Sequence, residues 1–148
     1  MENKIIAKGE ITINAPVQKV WKAITAPETV QTFMLGMKPV STWEKGTELR
    51  WIGRHEEKPN DNARGIITVM EENKELQFTF YYPGYGYPDE SAFYNTVVFR
   101  LQSASEGATT VSVEQGDFSV FKEGQTFAEH SQAFWTAALA KLKEILEP

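Results

Sequence analysis

Ile11-Thr12-Ile13-Asn14-Ala15-Pro16-Val17-Gln18-Lys19-Val20-Trp21-Lys22-Ala23-Ile24-Thr25-Ala26-Pro27-Glu28 changes its hydrophobic period from two to about three and a half at a single proline. Ile11 and Ile13 alternate with Thr12 and Asn14, as in a half-buried strand. After Pro16, the apolar residues Val17, Val20, Trp21 and Ile24 recur at helical spacing. Pro16 suits the first turn of a helix, where a missing N–H has no partner to lose. Pro27 stops that helix or bends it into a second one, from Glu28 to about Leu35. A strand feeding directly into two short helices points to a cavity-forming fold.

Composition narrows the function classes. At 148 residues the chain is expected to be one domain, 1–148, large enough for a core. A net charge of −5 offers no basic stripe for phosphates, which argues against a nucleic-acid partner. The absence of cysteine excludes disulfides, thiolate catalysis and cysteine zinc sites, and fits a reducing cytoplasm. Met1-Glu2-Asn3-Lys4 begins no signal peptide, and no apolar run approaches membrane-spanning length, so no membrane insertion is expected. Aromatics make up 12% of residues and gather in strand-like segments, so they must line a core or a cavity wall.

Outward from the opening stretch, residues 5–14 read as a strand with Ile5, Ala7, Gly9, Ile11 and Ile13 on one face. Val40–Trp43 reads as a short strand, Glu44-Lys45-Gly46 as a turn, and Thr47–Arg54 as a strand with Leu49 and Trp51 on one face. His55 falls in a polar surface loop running to Asn62. Gly65–Glu72 and Glu75–Pro83 form a hairpin closed at Asn73-Lys74. Parity then places Val69 opposite Phe78, Ile67 opposite Phe80 and Gly65 opposite Tyr82. Pro83–Glu90 is a loop whose Gly84-Tyr85-Gly86 segment is expected as a mobile lid, with Tyr85 and Tyr87 exposed at the loop's tip, where they could make a homodimer contact. Ala92–Leu101 and Thr109–Val120 form a further hairpin around Ser103–Ala108, with Asn95 opposite Gln115 and Asp117 just beyond.

From Glu123 to Leu146 the period turns helical, with Phe127, Ser131, Phe134, Trp135, Ala138, Leu142, Ile145 and Leu146 in one stripe. The fold class is therefore α+β: a curved antiparallel sheet of about seven strands around a long C-terminal helix.

That order resembles the START/Bet v 1-like helix-grip superfamily, most nearly the branch similar to the C-terminal domain of the Hsp90 ATPase activator. Ile11-x-Ile13-x-Ala15-Pro16, Val20-Trp21-x-Ala23-Ile24-Thr25-x-Pro27-Glu28, Trp43-x-x-Gly46, Trp51, Gly65 and Phe134-Trp135 with Leu139-x-x-Leu142-Lys143 carry the resemblance. Two positions depart from it. Phe33 stands where members often carry Trp, and Phe134-Trp135 stands where a Gly-Trp pair is usual, which should narrow any cavity. The resemblance implies a hollow between sheet and helix for an apolar or amphipathic small molecule of the lipid, polyketide or polyphenol kind.

Trp51, Phe78, Phe80, Tyr82, Phe134 and Trp135 are the expected wall; each is otherwise ordinary core. Asn95 and Gln115 either pair with each other or, with Ser131, orient a ligand's carbonyl or hydroxyl. No cofactor and no metal are expected. An enzyme of the cyclase or hydrolase type would need His130, Asp117 or Tyr82 inside the cavity, yet no titratable pair converges clearly in the sequence. A chaperone-activator-like module would use the outer surface instead, but the partner domain that such activators carry is not expected here.

Overall fold

In a computed structural model, residues 4–52 and 63–147 are described. The chain runs β1 (Ala7–Ile13), α1 (Val17–Ile24), α2 (Pro27–Phe33), β2 (Lys38–Val40), β3 (Glu48–Ile52), β4 (Ala63–Glu71), β5 (Glu75–Phe80), β6 (Asn95–Ser105), β7 (Ala108–Gly116) and α3 (Gly124–Leu146). The sheet is seven-stranded in the order β1-β7-β6-β5-β4-β3-β2, and every pairing is antiparallel. Two short helices follow β1 and the long helix lies against the sheet, as the period changes predict.

Pro16 caps α1, its carbonyl accepting from the Lys19 and Val20 amides, and Pro27 is itself the first residue of α2. The break leaves Val20, Trp21, Ala23 and Ile24 of α1 and Val30 and Phe33 of α2 buried. Burying each large apolar side chain here stabilises the fold by about 1.5–3 kcal/mol.

Three strand expectations need correction. The short strand is Lys38–Val40 and not Val40–Trp43, because Trp43 sits at φ 58 and cannot continue a ladder. The β4–β5 turn has three residues, Glu72 to Lys74, with Asn73 at φ 65, so Glu71 rather than Glu72 faces Glu75. A bulge between Ile67 and Val69 then sets Ile67 opposite Phe78. In the next hairpin the strands continue to Ser105 and Ala108, and Val97 faces Gln115. β7 ends at Gly116, not Val120.

Two glycines fix how closely these layers meet. A Cβ on Gly9 would lie 3.1 Å from Leu139 Cδ1 and 3.4 Å from Trp135 Cβ, so α3 rests directly on the β1 backbone. A Cβ on Gly65 would collide with the Thr79 carbonyl beside the bulge. Leu139 can turn aside, whereas the Thr79 backbone cannot. Gly65→Ala is therefore expected to cost about 3 kcal/mol or more and Gly9→Val about 1–3 kcal/mol, read from urea midpoints at unchanged slope.

Candidate functional site

The buried side chains divide into two groups. The larger runs from Ile13 through α1 and α2 to Trp51, Phe78, Phe99, Trp135 and Leu142. The smaller gathers Ala7, Phe118, Phe121 and Ala128 with the half-buried Ile5, Tyr85, Tyr87, Phe93 and Phe127.

Within the larger group a residual space of about 10 Å³ remains, roughly the room one water needs. Ile24 of α1, Val30 and Phe33 of α2, and Met34 after it form one side. Trp43, Leu49 and Trp51 form the second, and Leu76, Phe78 and Phe99 from the sheet form the third. Trp51 and Phe78 are tilted at 47° with ring centroids 5.8 Å apart. Trp51 is 3% exposed. Among the described residues, the buried indole nitrogens of Trp43 and Trp51 have no hydrogen-bond partner. Trp43 is held at its positive φ by its amide, which donates to Ser41 Oγ at 2.9 Å.

Of the expected wall, only Trp51 and Phe78 border this space. Phe80 and Phe134 are half-buried against the larger group. Trp135 is buried, edge-on to Phe99, and its Nε1 donates to Gln115 Oε1 at 2.9 Å. Gln115 Nε2 donates in turn to Asn95 Oδ1 at 3.2 Å. The two inward amides thus meet diagonally, one ladder step from the expected register, and Gln115 is engaged at both ends. Tyr82 is a correction. It is 39% exposed and lies over Gly84, because the chain leaves the sheet after the Arg64–Tyr81 bridge. Tyr81 is buried in its place, stacked on Tyr94 and donating to the Tyr87 carbonyl at 2.6 Å.

The acid–base candidates are likewise elsewhere. His130 is exposed, and His55 lies outside the described residues. Asp117 is half-buried and accepts from the Ile5 amide, the Ser119 amide and Ser119 Oγ. Burial alone would raise its pKa, but these hydrogen bonds hold it below 3.8. Ser131 is half-buried beside Tyr85, whose phenol is pushed up by burial and partly relieved by that hydroxyl.

The lid expectation also fails. Tyr85 stacks on Phe127 with centroids 4.1 Å apart, and Tyr87 packs on Phe93 and Phe121 while donating to Glu123 at 2.7 Å. Both tyrosines are half-buried and serve the smaller aromatic group. Asp89 fastens the end of the same loop, accepting from Tyr94 and from Arg64, whose Nη2 is 2.6 Å away. Sequence reasoning missed this second group. Its signal was Phe118, read as strand end, Phe127, read as helix stripe, and Phe121, which falls between the two.

Two outcomes test this arrangement. Gln115→Leu orphans the Trp135 N–H and is expected to destabilise by about 1–3 kcal/mol in chemical denaturation. The Asp89 carboxyl, held below 3.8 first by Tyr94 and then by Arg64, and the Asp117 carboxyl both stabilise the fold above that value. That contribution is lost as pH falls through the depressed folded values. The melting temperature should therefore drop below about pH 4, less steeply in Asp117→Asn.

Comparison with known proteins agrees with the geometry. Residues 14–147 match the family described as activator of Hsp90 ATPase homolog 1-like protein. The chain is similar to ChR145 from Cytophaga hutchinsonii, at 32% identity and a TM-score of 0.78, covering 99% of this chain and 97% of that one. It shares its fold with the Aha1 dimer from Colwellia psychrerythraea, at 16% identity and a TM-score of 0.75 over 97% of this chain and 96% of the other. PFC0360w, an HSP90 activator from Plasmodium falciparum, aligns at 16% identity and a TM-score of 0.73 over 96% of each chain. No curated protein matches the sequence. Among the described residues, no helix is long and apolar enough to cross a membrane. The chain belongs to the activator of Hsp90 ATPase homolog 1-like family, within the START/Bet v 1-like superfamily.

Proposed function

We propose that this chain binds an apolar or amphipathic small molecule, of the lipid, polyketide or polyphenol kind, in the space between α2, the β2–β3 connection and the sheet. One observation carries the reading: an apolar cleft deep in the fold is lined in part by Trp43 and Trp51, whose buried indole N–H groups have no partner among the described residues. A buried donor left unpaired costs about 1–3 kcal/mol, and native folds keep few of them. A guest with an acceptor removes that penalty, while burial of its apolar body drives binding.

A space of about 10 Å³ is too small for such a guest, so binding requires the wall to open. The wall's weakest part is the connection from α2 to β3. It holds to the sheet through the three residue pairs of β2, at the open edge, and through the backbone bonds of Gly46 and Thr47 with Ile67. It also turns at Leu35, Gly36, Trp43 and Gly46, all at positive φ. A non-glycine residue there stores about 1–2 kcal/mol, and such strain gathers at ligand clamps. No catalysis is assigned, since among the described residues no ionisable side chain borders the space.

The test is native mass spectrometry and tryptophan fluorescence against fatty acyl, polyphenol and polyketide compounds. A one-to-one complex is expected. Val30→Phe, which fills the space, should remove binding at a cost of about 1–3 kcal/mol in stability. Binding unchanged in Val30→Phe would place the guest elsewhere.

A further inference from the structure

We infer that the buried end of the guest is an uncharged hydrogen-bond acceptor, a ketone, quinone or lactone carbonyl, received by the indole N–H groups of Trp51 and Trp43. This rests on the binding reading above and narrows it to a chemical class.

The argument is one of complementarity. Among the described residues, the side chains around the space carry two unpartnered N–H donors and no oxygen acceptor. A carbonyl oxygen has lone pairs for both donors and brings no hydrogen that needs a partner. An alcohol or a water can accept from the indoles, but its own O–H then faces hydrocarbon. A carboxylate finds no cationic side chain on the lining among the described residues, and burying it unpaired is prohibitive. A plain hydrocarbon leaves both donors as they were.

The two indoles differ in how they are held. Trp51 is fixed on β3, 3% exposed and packed on Phe78. Trp43 is half-buried in the connection that must open, and its backbone is pinned at φ 58 by Ser41. Trp51 is thus the standing donor, and Trp43 closes over the guest to supply the second. The other tryptophan N–H with a known partner, that of Trp135, already donates to Gln115 and provides an internal reference.

The experiment uses acetophenone, its near-isosteric hydrocarbon isopropylbenzene, and benzoate at pH 7, titrated into the full chain. Affinities are read by calorimetry, and the indole Nε1–H resonances by NMR. Acetophenone is expected to bind and to move the Trp51 and Trp43 resonances downfield while leaving that of Trp135 in place. Isopropylbenzene should bind roughly tenfold more weakly, the worth of one buried hydrogen bond, and benzoate not at all. In Trp51→Phe or Trp43→Phe, which keep a ring and lose a donor, the ketone's advantage should shrink toward parity. Equal affinity for ketone and hydrocarbon, with both indole resonances unmoved, overturns this inference and leaves the binding reading standing. Tight binding of benzoate overturns it too. Failure of all three probes to bind at millimolar concentration overturns both.

Discussion

The contact between α3 and β1 is the constraint on which the remaining structure depends. β1 is an edge strand, paired only with β7, and an open edge exposes backbone groups that invite wrong pairing. Here α3 covers it. Gln132 Oε1 accepts from the Lys8 amide, Lys143 Nζ donates to the Thr12 carbonyl, and Glu147 Oε2 accepts from the Asn14 amide. Gly9 lets the helix come close enough for those side chains to reach. Glu147 is held below its usual carboxylate value by Lys143 and by the Asn14 amide, so the clasp persists as an anion through neutral pH.

Seating the helix there decides what happens on either side of it. Trp135 reaches across to Phe99 and Gln115, which closes the middle of the interior with an aromatic contact and a saturated amide. Beyond the helix's first turn, Phe118, Phe121 and the tyrosines of the 83–90 loop fill one end. The opposite end is closed by two short helices and a three-residue strand, and there the packing leaves its residual space. The packing is thus closed along α3 and leaves its residual space around α2 to β3, where the proposed guest would enter.

Much of this was legible because it rests on periodicity. Pro16 and Pro27 mark the helix boundaries, alternating Leu76 and Phe78 mark a half-buried strand, and the stripe around Ala138 and Leu142 marks the long helix. The register was not legible. Asn73 and the bulge near Thr68 each displace the pairing by one residue, and neither is signalled by hydrophobic pattern. Tyr82 illustrates the consequence: a correct alternation as far as Phe80 was carried past the point where the chain leaves the sheet. Trp43 was read only as part of a motif and not as a wall residue, for a related reason. Its importance lies in a left-handed backbone and an unpaired nitrogen, and a sequence of side-chain types records neither.

A crystal structure of the protein as purified, without added compound, tests the central claim most directly. The account predicts continuous density between α2 and Phe78, with the α2–β3 connection displaced outward and a non-protein atom within hydrogen-bond reach of Trp51 Nε1. A closed interior, with the Trp51 and Trp43 nitrogens both bonded to protein groups, would contradict it.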